Sequence, residues 1–277
     1  MNTPDILAIP FGYDNLAWLV RGGTAAECAP NHQSAGFADG VAVVIDPGDA
    51  RAVMGALTRA RLSPIAFLCT HSDSDHIAGL STLAARFPEA AVAARNPAAL
   101  GSGAGRARIL SCRDGEELVF GRTRCRCLET PGHSADSLCF YFDCGALFSG
   151  DTLFAAGCGR VRAHAYEAMF QSLGRLAHLP PETCVYPGHN YLEENLRFAA
   201  TLPHDASLLH RRKEALADGR EPPSTLAMER MTNPFLRTIV DEAFVRALYS
   251  EGGASCAPPP DTLEVFTKLR IRKNTFA

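Results

Sequence analysis

Five short apolar runs, separated by segments of helical periodicity, set what this chain can fold into. They are VAVVIDPG (41–48), PIAFLCTH (64–71), RCRCLETPGH (124–133), ALFSGD (146–151) and CVYPGH (184–189), each of strand length. Between them lie DARAVMGALTRARL from Asp49, HIAGLSTLAARF from His76 and YEAMFQSLGRLAHL from Tyr166, all with helical spacing of apolar residues. Strands alternating with helices predict an α/β architecture. After His189 the pattern changes. YLEENLRFAATL, ASLLHRRKEALADG and DEAFVRALYS read as helices with Pro-rich breaks between them. The last segment, DTLEVFTKLRIRK, follows three prolines, with Asp261 and Glu264 at capping-box spacing. The boundary is expected near residue 190, with a catalytic domain at 1–190 and a small helical domain at 191–277. GSGAGR (101–106) reads as a surface loop.

Composition removes several function classes. Lys and Arg number 27 against 30 Asp and Glu, so no basic excess exists to neutralise a phosphate backbone, and nucleic acid is not an expected partner. No apolar run approaches the roughly 18 residues of a membrane span. The N-terminus lacks a basic stretch followed by a long apolar one, so no secretory signal is expected and the location reads as cytoplasmic. The ten cysteines are scattered, the nearest pair being Cys125 and Cys127, with no C-x-x-C. Buried, reduced thiols in a cytosolic monomer are the plain reading.

The chemistry gathers where the runs end. His71, His133, Asp151 and His189 each close an apolar run, and ligands in α/β sheets bind at the carboxyl ends of strands. Asp73, Asp75 and His76 join them from the loop after His71. Four histidines and three aspartates suit zinc, iron or manganese. Seven donors exceed the four of one structural zinc, so two divalent metal ions sharing a carboxylate are expected. A single histidine at a strand end is ordinarily a hydrogen-bonded structural residue; four such coincidences in order argue against that here. No G-x-S-x-G nucleophile motif is present.

THSDSDH, TPGHS, FSGDTLF and YPGHNY, in this order, resemble the motifs of the metallo-β-lactamase superfamily, whose first motif is T-H-x-H-x-D-H. FGYDNLAWLV, VIDPGDA, GCGR, NPFLR and RIRKNTF extend the resemblance over the whole chain and, within that superfamily, to the glyoxalase II (hydroxyacylglutathione hydrolase) family. The resemblance implies an αββα sandwich with a small C-terminal helical domain. It implies a first metal on His71, Asp73 and His133, a second on Asp75, His76 and His189, and Asp151 bridging both. It implies hydrolysis of S-D-lactoylglutathione to D-lactate and glutathione, the second step of methylglyoxal detoxification, by a hydroxide held between the metals. Asp75 and Asp151 would be the catalytic carboxylates. Arg160, Tyr191, Arg270 and Lys273 would grip the glutathione thioester. Arg270 and Lys273 lie three apart, on one face of a helix; complementing that helix's dipole is their plain alternative role.

Two positions depart from the family pattern. Asp73 stands where the family has a histidine. Either it ligates, making the first site harder and favouring iron or manganese over zinc, or it lies beside the site as a solvated carboxylate. Arg162 stands where an aromatic residue is common. Two rival functions share these residues. A one-iron glutathione persulfide dioxygenase is opposed by NPFLR and the Arg270/Lys273 pair; a non-catalytic thiol-binding protein with a degenerate site is supported by Asp73 alone.

Overall fold

The protein is described by a computed structural model covering residues 5–23, 40–104, 107–121, 123–162, 164–203, 205–217, 223–251 and 261–276. The chain divides into two compact units, Met1–Glu129 with Asp136–Gly150, and Thr130–Ala135 with Asp151–Ala277.

The first unit opens with β1 (Ile6–Phe11), β2 (Asn15–Gly23), β3 (Val41–Ile45), α1 (Ala50–Ala60), β4 (Ser63–Leu68), α2 (Ser74–Ile77), α3 (Leu80–Arg86), β5 (Ala91–Ala94) and β6 (Ile109–Ser111). The six strands form one sheet in chain order. β1, β2 and β3 pair antiparallel, and β3 to β6 pair parallel. β3 is buried at every position because both faces are covered. Ala17, Leu19, Ala42, Val44, Phe67 and Val92 face one side, packed with Val53 and Leu57 of α1 and Leu80 and Leu83 of α3. Trp18, between Ala17 and Leu19, points to the opposite side, where its ring lies 6.4 Å from Phe148. Phe148 belongs to a second group of strands, β7 (Glu117–Phe120), β8 (Thr123–Glu129), β9 (Leu138–Phe142) and β10 (Ala146–Gly150), which neighbour each other in the order β10-β9-β8-β7. α1 begins at Asp49, whose carboxylate accepts from the Ala52 amide at 2.8 Å.

The second unit holds β11 (Leu153–Phe154), β12 (Gly157–Cys158), α4 (Tyr166–Ala177), β13 (Cys184–Pro187), α5 (Leu192–Ala199), α6 (Ala206–Ala217), β14 (Ser224–Thr225), α7 (Leu226–Thr232), α8 (Pro234–Val240), α9 (Glu242–Glu251) and α10 (Thr262–Asn274). α4 buries Met169, Ser172, Leu173, Leu176 and Ala177, the stripe its periodicity predicts. Phe170, Phe198, Phe235, Phe266 and Phe276 form a chain of ring contacts.

Several local expectations change. The helix read from His76 is two helices, α2 and α3, because Gly79, a poor helix former, stands at the N-cap of the second. Gly101 to Ala104 of the expected loop close a 3-10 helix, Pro97–Ala104, while Gly105 and Arg106 lie outside the described residues. NPFLR, read only as a motif, starts α8: Asn233 caps it and Pro234 takes the first turn. The β1–β2 hairpin and α7 carried no reading from the sequence. Asp261 caps α10 through the Leu263 amide at 2.9 Å. Glu264, the other half of the expected capping box, forms an ion pair with Lys268. Met1–Pro4 and the prolines before Asp261 lie outside the described residues.

The eight described cysteines are free thiols, six of them buried, with Cys144 exposed and Cys184 half-buried. Burial pushes the thiols of Cys69 and Cys125 well above their ordinary range, which makes them inert packing groups. Among the described residues no helix is long and apolar enough to cross a membrane.

Candidate metal centre

In the first unit, four expected ligands sit on one short loop and helix after β4. His71 and His76 are buried, and their rings lie 4.0 Å apart. Asp46, at the end of the parallel neighbour β3, orients both. Its carboxylate accepts from the Thr70 amide and the Thr70 hydroxyl, each at 2.8 Å, and meets His76 Nδ1 at 3.0 Å. A carboxylate only accepts, so His76 carries its proton on Nδ1. Because the Thr70 hydroxyl gives its hydrogen to Asp46, its 3.0 Å contact with His71 Nδ1 makes His71 the donor as well. In the neutral form of both rings, Nε2 is then the unprotonated nitrogen, the form in which a histidine binds a metal.

Asp73 takes the N-cap position of α2, yet its side chain makes no capping bond. Instead Oδ2 stands 3.6 Å from His71 Nε2. Asp75 is more exposed; its Oδ2 accepts from Asn15 Nδ2 at 3.2 Å and lies 4.0 Å from His76 Nε2. Gly48 permits this packing, since a Cβ there would lie 1.9 Å from the Asp75 carbonyl oxygen.

In the second unit, three expected ligands come from distant points of the chain. His133 follows β8, Asp151 follows β10 directly and His189 follows β13. The Asp151 carboxylate divides between them: Oδ2 lies 3.5 Å from His133 Nε2, and Oδ1 lies 3.5 Å from His189 Nε2. His133 Nδ1 donates to the Arg160 carbonyl at 2.9 Å, so its Nε2 is bare too. The His189 ring stacks on Tyr191 at 5.0 Å and meets the edge of Phe154 at 6.0 Å. Gly159 closes the site tightly: a Cβ there would lie 1.9 Å from the Asp151 carbonyl oxygen and 3.3 Å from His133 Cβ.

These donors fit divalent cations. Two ligands held at about 2.1 Å in tetrahedral geometry lie about 3.4 Å apart. Separations of 3.5, 3.5 and 3.6 Å between imidazole Nε2 and carboxylate oxygen match that spacing. Imidazole and carboxylate together suit borderline and hard divalent metals.

The other expected residues lie in the second unit. Arg160 is exposed and contributes its carbonyl to His133. Tyr191 stacks on His189. Arg270 is 5% exposed, donating from Nη1 to the Cys158 carbonyl at 2.9 Å and from Nη2 to Asn274 Oδ1 at 3.0 Å; among the described residues its buried Nε has no hydrogen-bond partner. Lys273 lies over the rings of Phe198 and Phe276, and burial together with the Arg270 guanidinium holds its ammonium below the usual lysine range. Arg162 is exposed. Asp46, Thr70 and Asn15 carry roles that the sequence reading gave to none of them. Asn15 and Asp46 lie within FGYDNLAWLV and VIDPGDA, and the Asp-Pro-Gly at a strand end is the available signal for Asp46.

Comparison with known proteins gives two family matches. Residues 33–189 match the model of the metallo-beta-lactamase superfamily, and residues 190–276 match that of the hydroxyacylglutathione hydrolase C-terminus. A hydroxyacylglutathione hydrolase of Gloeobacter violaceus is 41% identical over 245 residues, covering 85% of this chain and 90% of the relative. Another, of Xanthomonas axonopodis pv. citri, is 36% identical and covers 98% of both chains. The crystal structure of TTHA1623 in a di-iron-bound form superposes with a TM-score of 0.57 at 28% identity, covering 83% of this chain and all of that one.

Proposed function

This chain belongs to the hydroxyacylglutathione hydrolase family of the metallo-β-lactamase superfamily, and from that membership we infer that it is a metal-dependent thioester hydrolase cleaving S-D-lactoylglutathione to D-lactate and glutathione. The fold is that superfamily's αββα sandwich with a helical C-terminal part. The observation that carries the reading is the set of imidazole Nε2 atoms of His71, His133 and His189, each facing an aspartate oxygen at 3.5 or 3.6 Å.

We propose that the two clusters act together: His71, Asp73 and His133 hold one cation, Asp75, His76 and His189 hold a second, and Asp151 serves both. When bound, the cations lower the pKa of water and polarise a thioester carbonyl. Around them the chain's own groups position the reaction. Asp46 and the Arg160 carbonyl fix the histidine tautomers. Asp75, steadied by Asn15, accepts a hydrogen bond from the attacking water and sets its approach. A thiolate is a good leaving group, so no strong general acid is needed.

The metals proposed are zinc, iron or manganese. The Asp73 carboxylate moves the preference towards the harder two, and the similar structure in a di-iron-bound form supports iron. For the thiol carrier, Arg160, Tyr191, the free Nε of Arg270 and Lys273 are the proposed contacts, with the catalytic part at 1–190 and the substrate-binding part at 191–277. A cytoplasmic monomer acting on a small molecule completes the reading. The match of residues 190–276 to the hydrolase C-terminus weighs against the one-iron dioxygenase. The test is an assay with S-D-lactoylglutathione on protein whose metal content has been measured. Thiol release matching lactate formation is expected. Two metals per chain without hydrolysis would overturn the substrate.

A further inference from the structure

The hairpin β11–β12 begins two residues after Asp151, and each of its strands has only two residues. Such a hairpin has no stability of its own. Its turn is strained as well: Ala156 adopts φ +55°, a conformation that disfavours a residue with a Cβ. What holds it is a set of side chains from the helices behind it. Asn195 Nδ2 of α5 donates to the Ala155 carbonyl at 3.0 Å. Glu229 Oε2 of α7 accepts from the Ala156 amide at 2.8 Å. Asn233 Nδ2, at the cap of α8, reaches the Gly157 carbonyl at 2.9 Å and the Phe154 carbonyl at 3.3 Å. Arg270 of α10 donates to the Cys158 carbonyl. Every residue from Phe154 to Cys158 thus has a backbone group tied to a buried polar side chain. Glu229 is itself fixed by Asn233 at 3.0 Å and by a fully buried ion pair with Arg212 at 2.8 Å.

All three histidine and aspartate groups of the second-unit cluster meet this hairpin or lie against the chain that flanks it. Asp151 enters it through the chain. His133 is aimed by the carbonyl of Arg160, two residues beyond its end. His189 packs against the ring of Phe154. We propose that Asn233, with Glu229 and Asn195, forms a clasp of positioning residues: by fixing the Leu153–Cys158 hairpin from the C-terminal helices, the clasp sets the geometry in which His133, Asp151 and His189 contribute to the two metal sites. The inference rests on the two-metal reading above and gives the helical C-terminal part a second task beside gripping the thiol.

The experiment uses the full chain loaded with zinc and follows zinc transfer to a colorimetric chelator, alongside metal content, far-ultraviolet circular dichroism and Tm. Asn233→Ser keeps an oxygen able to cap α8 but loses the reach to both carbonyls. Asn195→Ala removes a single clasp bond and serves if the first variant does not fold. Arg237→Ala is the control. It loses the α8 contacts to Asp241 and the Pro203 carbonyl without touching the hairpin. The clasp variants are expected to release zinc about tenfold faster at temperatures where they remain folded, while Arg237→Ala, at an equal or larger loss of Tm, releases at the wild-type rate. Wild-type release in both clasp variants overturns the clasp, as does equal acceleration in the control. These readouts need no substrate. A zinc-binding wild type that fails to hydrolyse the thioester therefore refutes the functional reading and leaves the clasp result standing.

Discussion

The two histidine–aspartate clusters reach similar geometry by opposite routes. In the first unit, four donors lie within six residues, and a buried side chain, Asp46, orients the two histidines among them. In the second, three donors spread over 57 residues are oriented by backbone and ring faces: the Arg160 carbonyl, Tyr191 and Phe154. A cluster aimed by a side chain fails when one residue changes. A cluster aimed by a carbonyl tolerates substitution at the residue that supplies it, and depends instead on where the fold puts that backbone.

Asp46→Asn tests this difference most severely. An amide offers one acceptor and one donor where three donors converge, which drives the His76 proton from Nδ1 towards Nε2 and blocks that nitrogen as a ligand. Metal affinity should fall by about 10- to 100-fold, measured by titration with a competing chelator; wild-type affinity would remove Asp46 from the site's support. Asp73 comes next. Asp73→Ala should lose metal and lower kcat by about tenfold, while Asp73→His should shift occupancy towards zinc, both read by elemental analysis beside activity. Unchanged metal and rate in Asp73→Ala would reduce Asp73 to a solvated neighbour. The smallest effect is expected at Arg160. Arg160→Ala keeps the carbonyl that holds His133, so metal content should stay at the wild-type level while KM rises by a few-fold from loss of a substrate contact. Metal loss in that variant would break the contrast between the clusters.

The first cluster was legible in the sequence because its donors are neighbours, and a strand followed by a tight turn leaves them little choice of direction. The second was legible only as strand ends beside Gly-His and Gly-Asp pairs, since period-2 runs show where strands stop. Orientation was not legible in either. Asp46 stands only at the end of an apolar run, and nothing local marks a carbonyl as the partner of a histidine 27 residues away. Asn233 lies in a motif with no structural reading and Glu229 in a segment with none, and nothing local marks either as fully buried. Nor does the sequence mark that two of the three Arg270 side-chain nitrogens hold Cys158 and Asn274.

By itself, then, the sequence determined the alternation of strands and helices, and it singled out seven candidate donors and their chemical class, because residue type and periodicity are local properties. Only the tertiary structure decided which nitrogen of each imidazole faces outward, and which helices hold the strained hairpin behind Asp151. Those depend on hydrogen bonds between chain-distant buried groups, and such bonds exist only once the chain has folded and water has been excluded.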